Sequence, residues 1–137
     1  MYSNKFIIDI SIDKISILYK INCGEKMKYY IKFENGITFV YLMGKLQNDD
    51  YAQLQHEIIK QIAETDKPKV LLNMKNMDII VSDGIAFLLL LSKKIDKLGG
   101  ILKLAELSRA VKYAFEISDV DKIFKIYDSE TSALELW

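Results

Sequence analysis

Residues 70–91 read VLLNMKNMDIIVSDGIAFLLLL, and the order of residue types within them decides the fold. Val70, Leu71, Leu72 and Met74 make a short apolar run of the kind expected of a buried strand. Asp78 leads into the apolar pair Ile79-Ile80, and Val81-Ser82-Asp83-Gly84 then opens a second, longer apolar run. The stretch predicts strand, loop and helix in succession. It places Ser82 at the helix N-cap, beside unpaired backbone N–H groups and the positive end of the helix dipole. A phosphate fits such a position. The plainer use of a serine there is as a cap and nothing more.

Working outward, the helix predicted over residues 83–98 carries Ile85, the run 87–91 and Ile95, an apolar surface broad enough to need cover from other elements. Lys93, Lys94, Asp96 and Lys97 point its second half at water, and Gly99-Gly100 ends it. Residues 101–105 read as another buried strand. Ser108 can cap a helix whose inner face is Val111, Ala114 and Phe115, with Ile117 a candidate fourth member. Residues 123–126 read as the last strand and 129–134 as a terminal helix.

Upstream, residues 28–43 read as a hairpin turning at Asn35-Gly36, a pair that favours the positive φ angles of a tight turn. The returning segment, 37–43, is apolar on both faces apart from Thr38, which places it centrally in a sheet. After a loop over 44–48, Asn48 or Asp49 can cap a helix in which Tyr51, Leu54, Ile58 and Ile62 face inward. Gln53, Glu57, Lys60 and Gln61 are left for solvent. His56, the one histidine, has no neighbours of metal-ligating or catalytic type and reads as a surface or boundary residue. Residues 65–68 end this helix, because the residue before Pro68 is pushed out of helical geometry.

Composition agrees with a single compact domain: 137 residues, half of them hydrophobic, with 19 Lys plus Arg balancing 19 Asp plus Glu. Zero net charge argues against nucleic acid, which needs a concentrated basic face. The single cysteine, Cys23, cannot form an internal disulfide, which fits a reducing cytosol. The longest apolar run, 85–91, is far shorter than the ~20 residues needed to cross a bilayer. Asp9, Asp13 and Lys14 interrupt any signal-peptide core. A soluble cytoplasmic protein is the expectation. No nucleophile with its base, no P-loop and no dinucleotide-binding fingerprint is present, so neither an enzyme nor a cofactor is expected.

Taken together, Asn73, Asp78-Ile79-Ile80, Val81-Ser82-Asp83-Gly84, the apolar helix, Gly99-Gly100 and residues 101–104 resemble, in order and spacing, the STAS family of sulfate transporter and anti-sigma factor antagonist domains. The segment 121–129, with Ala133-Leu134 beyond it, is similar to the family's closing strand and helix. The resemblance implies an α/β fold: a mixed sheet covered by about four helices over residues 27–137. Residues 1–26 are then an added N-terminal β segment of unknown role.

In that segment Phe6, Ile8, Ile10 and Ile12 alternate with other residues, and Ile15, Ile17, Tyr19 and Ile21 continue the period of two. Three readings stay open for it: pairing with a sheet edge, a hairpin around Asp13-Lys14, or self-association as a homodimer. A fourth is that Met27 is the natural start.

In the antagonists of this family the serine matching Ser82 is phosphorylated by a partner serine kinase that is also the anti-sigma factor. The resemblance therefore implies a switch at Ser82. It also implies a docking face formed by Gln47, Asn48, Asp49, Asp50, Asp83, Gly84 and Ile85. This sequence has Val81 where the family usually has Asp, Asp83 where a second Ser or Thr is usual, and Gly44-Lys45-Leu46-Gln47 in place of Gly-Glu-Leu-Asp. The alternative function is an unphosphorylated STAS scaffold or accessory subunit of a signalling or lipid-transport complex.

Overall fold

The computed structural model describes residues 28–137 in full, and residues 5–12 and 15–22 as strand backbone. The turn expected at Asp13-Lys14, Cys23 and the domain boundary at Met27 lie outside the described residues. The strands are β1 (Lys5–Ile12), β2 (Ile15–Asn22), β3 (Tyr29–Glu34), β4 (Ile37–Gly44), β5 (Lys69–Met77), β6 (Ile101–Ala105) and β7 (Lys125–Tyr127). The helices are α1 (Asn48–Ile62), α2 (Ser82–Lys97), α3 (Arg109–Ser118) and α4 (Glu130–Leu134).

The strands form a single sheet in sequential order from β1 to β7. The pairs from β1 to β4 are antiparallel, and those from β4 to β7 are parallel. The β3–β4 turn is the one the sequence dictates, with Asn35 at φ 54° and Gly36 at φ 77°. Three crossovers of the same hand in a sheet that grows in one direction must put their helices on the same face. Accordingly α1, α2 and α3 share one layer, whose main core includes Leu54, Ile58, Leu88, Leu91, Val111 and Phe115. Alternate residues of the sheet meet them: Tyr29 and Ile31, Val40 and Leu42, Val70, Leu72 and Met74, Leu102 and Leu104.

On the other face a smaller cluster joins Phe39, Leu71, Ala105 and Ala133, with Ile37, Tyr41, Tyr127 and Trp137 against it. It is closed by α4 and the C-terminal residues. The buried Lys103 on β6 secures them: its ammonium donates to the Ala133 carbonyl at 2.7 Å and to the Leu136 carbonyl, and lies 4.3 Å from the Trp137 ring centroid. Lys103→Met keeps the stem but removes these donors. It is expected to free the C-terminal residues, read as faster amide exchange over residues 133–137.

Several expectations are corrected. Glu57 is buried rather than solvent-facing: its Oε2 accepts a 2.6 Å hydrogen bond from the Tyr29 hydroxyl. A carboxylate on the inner stripe is tolerated because a buried donor meets it there. Ile117 is 65 % exposed and belongs to the surface of α3. The last strand starts at Lys125, and Ile123 is exposed before it. The residue before α1 is Gln47, not Asn48 or Asp49. Its N–H donates to Asp50 Oδ2 at 2.8 Å, so Asp50 closes the first turn from inside the helix. Ser108, by contrast, caps α3 as the sequence indicates, accepting from the Val111 N–H at 3.3 Å.

Candidate functional site

The carboxyl ends of the parallel strands β4 and β5 feed the loops before α1 and α2, so the starts of both helices come together at one end of the sheet. Just before that end the β4–β5 register shifts between Tyr41 and Met43. The Asp78 N–H, leaving β5, still bonds the Gly44 carbonyl at 2.9 Å. The two loops are thereby pinned to each other.

The junction is tightest at Gly84. A Cβ built there would stand 2.5 Å from the Tyr51 hydroxyl and 2.6 Å from Ile80 Cγ1. This glycine is required by a close approach inside the protein, where the first turn of α1 abuts the first turn of α2. Tyr51 continues the contact by packing its ring 5.1 Å, centroid to centroid, from Phe87. Gly84→Ala is therefore expected to destabilise the fold by about 1–3 kcal/mol through overpacking, despite alanine's better helix propensity. Urea denaturation would measure it.

Ser82 is the first residue of α2 and is exposed. The N-cap is Val81, with φ −113° and ψ −179° and no side-chain cap bond, which corrects the expected capping by Ser82. The Val81 carbonyl accepts from the Gly84 and Ile85 N–H groups at 2.9 and 3.2 Å. The serine hydroxyl is thus not committed to capping, and it sits where the helix dipole favours an anion. Ser82→Ala is consequently expected to change stability by no more than about 0.5 kcal/mol, below the ~1 kcal/mol of a lost cap. Thermal unfolding of the variant would show it.

The residues singled out from the sequence divide into two layers here. Gln47, Asn48, Asp49, Ser82 and Asp83 are exposed around the paired helix starts. Asp50 and Gly84 are buried beneath them, and Ile85 is half-buried. Asp50 cannot belong to a docking surface in the way the exposed residues can, because its carboxylate is held by the Gln47 N–H and by the Lys28 ammonium at 3.1 Å. The Tyr51 hydroxyl is pushed up to about 12, first by burial and then by the charges of Asp50 and Asp83. It is buried and unpartnered, held in the seam between the two acidic first turns.

One part of the site escapes the sequence. Ile79, Val81, Ser82 and Ile85 form one wall of a cavity of about 450 Å³, and Tyr113, Ala114 and Ile117 of α3 form the other. Ile79, Val81, Tyr113 and Ile117 are all exposed, so the serine borders an open apolar groove. The only signal of it in the sequence is the apolar excess of the 79–81 loop. That the loop would face α3 follows from the crossover geometry, not from its residues.

Among the described residues no group of acids, histidines or cysteines could hold a metal ion, and His56 is exposed on α1. Among them, too, no helix is long and apolar enough to cross a membrane.

Comparison with known proteins gives a consistent picture. The sequence model described as STAS domain matches residues 29–133, which contain β3 to β7 and all of α1 to α3. BtrV of Bordetella bronchiseptica, named for anti-sigma factor antagonism, is 30% identical over 107 residues, covering 78% of this chain and 91% of BtrV. A solved structure of an anti-sigma factor antagonist from Thermotoga maritima superposes with a TM-score of 0.71 at 18% identity, over 78% of this chain and 92% of that one. The structure of the anti-sigma factor antagonist SpoIIAA in its unphosphorylated form superposes with a TM-score of 0.67 at 16% identity, over 78% and 93%.

Proposed function

The chain belongs to the STAS domain family, and on that premise we propose that it is an anti-sigma factor antagonist switched by phosphorylation of Ser82. Its partner on this reading is a cytoplasmic serine kinase that doubles as the anti-sigma factor. Residues 27–137 carry this activity, and the chain itself performs no catalysis. The observation that supports the proposal is the exposed Ser82 hydroxyl on the first residue of α2, bordered by Gln47, Asn48 and Asp49 on one side and the apolar groove on the other. The likeness to BtrV and to SpoIIAA, a protein described in an unphosphorylated form, points the same way.

The physical logic is a contrast between fold and surface. A phosphate on Ser82 adds about −1.5 to −2 charges. The helix N-terminus accommodates that charge, so the domain stays folded. A partner seated over the helix starts and the groove has to bury it, and an uncompensated buried charge is costly. Unmodified protein binds the kinase and frees the sigma factor; modified protein lets go.

The test is intact-mass measurement after incubation with the serine-kinase anti-sigma factor of the same organism and ATP. One added phosphate in the wild type and none in Ser82→Ala is expected. An unmodified wild type, with the kinase active on its own substrate, removes the switch and leaves the scaffold reading.

A further inference from the structure

The crossovers that place α1, α2 and α3 on one face leave the other to α4, which packs on β6 and β7 at the far end of the sheet from β1. The strand register says what lies at the near end. Phe6, Ile8, Ile10 and Ile12 stand opposite Ile21, Tyr19, Ile17 and Ile15, and Ile17 and Tyr19 in turn stand opposite Lys32 and Tyr30. Directly paired positions share a sheet face. Tyr29 and Ile31 point to the helices, so Tyr30 and Lys32 belong to the opposite face. These eight positions, of the ten apolar ones in β1 and β2, therefore fall on the side away from the helices. The helix side receives Lys5, Ile7, Asp9, Ser11, Ser16, Leu18, Lys20 and Asn22, six of the eight polar. A hairpin serving this domain's main core would carry the reverse pattern.

We propose that this helix-free face of β1–β3 is the interface of a homodimer, in which two copies pack sheet against sheet. The occupant follows from area and charge. At roughly 60–120 Å² per buried apolar side chain, the eight positions alone supply on the order of 500–950 Å². That brackets the ~800 Å² per partner of a stable interface and reaches beyond the ~300–600 Å² apolar patch of an ordinary monomer. On its inner side the face ends against Phe39 and Tyr41 of β4, which belong to the cluster closed by α4.

Its one described ammonium, that of Lys32, is taken up locally, 3.3 Å from Glu34 and 4.5 Å from the Phe39 ring centroid. Among the described residues of the face this leaves no unpaired ammonium to select an oppositely charged partner. An apolar sheet face is complementary to another of its own kind, and a two-fold axis sets the same patch on both sides. The surface lies across the sheet from Ser82, so dimerisation leaves both copies of that site open. Residues 1–26 are on this account the assembly segment of the protein.

Sedimentation equilibrium of the full chain tests it. The wild type is expected to be a dimer at micromolar concentration. Ile10→Lys with Ile17→Lys, paired at the centre of the face, should weaken dimerisation by at least about 30-fold, the cost of losing a central anchor. Ser11→Lys with Ser16→Lys, paired on the helix side, should leave it unchanged. Circular dichroism checks folding, and Ile10→Thr with Ile17→Thr, which keeps strand propensity, serves if the lysine pair does not fold. A wild type that is monomeric at every concentration overturns the proposal. So does a dimer indifferent to both Ile10/Ile17 pairs, because contact would then lie elsewhere, for instance along the β1 edge. Phosphate uptake at Ser82 is a separate readout and is untouched by either result.

Discussion

Ser82→Asp is expected to weaken binding to the serine-kinase anti-sigma factor by about 100-fold or more, while Ser82→Ala binds as the wild type does. The estimate comes from what a partner covering the helix starts would have to bury. Leaving one buried charge unpaired costs roughly 3–5 kcal/mol, and each 1.4 kcal/mol is a factor of ten in affinity. The enzymatically phosphorylated protein, with close to two charges, should lose at least as much.

Neither change should unfold the domain. Ser82 makes no capping bond, and an acid in the first turn of α2 has the sense the dipole favours, as Asp83 beside it already does. Isothermal titration of the three proteins, with thermal melts alongside, separates the two effects. Equal affinities for Ser82→Asp and wild type would place the partner's footprint away from α2 and end the switch as formulated.

The second large effect is alkaline instability. Tyr29 lies wholly inside the core with its hydroxyl on Glu57, and burial, then the hydrogen bond and the charge of Glu57, hold it well above the usual tyrosine range. Tyr51 is pushed up to about 12, chiefly by burial. In the unfolded chain both ionise near 10. Above that pH the unfolded state has lost protons that the native state keeps, so it binds fewer, and stability falls as pH rises.

Each tyrosine contributes a slope of about 1.4 kcal/mol per pH unit. Between pH 10 and pH 12 the pair removes on the order of 5 kcal/mol, comparable with the whole stability of many domains. Below pH 10 neither contributes any dependence. Urea midpoints at pH 8, 10, 11 and 12 should be level at first and then drop steeply. In Tyr29→Phe the drop should be shallower, though not absent, and start from a lower point, because Glu57 has lost its donor. A wild-type midpoint that stays level to pH 12 would refute the buried placement of both hydroxyls.

Whether a feature is legible in the sequence depends on whether neighbours in the chain or neighbours in space make the decision. The Asn35-Gly36 turn, the Ser108 cap and the inner stripe Tyr51, Leu54, Ile58 and Ile62 are set by residues within a few positions of one another, and the structure has them as read. Glu57 reads as solvent-facing because a glutamate on a helix is so unless a distant donor meets it, and the donor, Tyr29, is 28 residues away. Ile117 reads as a candidate for the core because its spacing from Ala114 fits the inner stripe, but in the fold it lines the open groove and is exposed. Val81 displaced Ser82 as N-cap because the carbonyl that starts the ladder is chosen by where the 78–81 loop leaves β5, not by which residue caps best.

What the amino-acid order alone determined is the alternation of strands and helices, the family and the serine at the head of the buried helix. Hydrophobic period and tight turns are set by residues close in the chain, and most of them survive whatever surrounds them. Tertiary structure alone decided the rest. Same-handed crossovers put three helices on one face. They set Tyr51 against Gly84 and opened a groove beside Ser82. Those outcomes depend on how strands are ordered and which way connections turn, and a one-dimensional pattern does not carry that information.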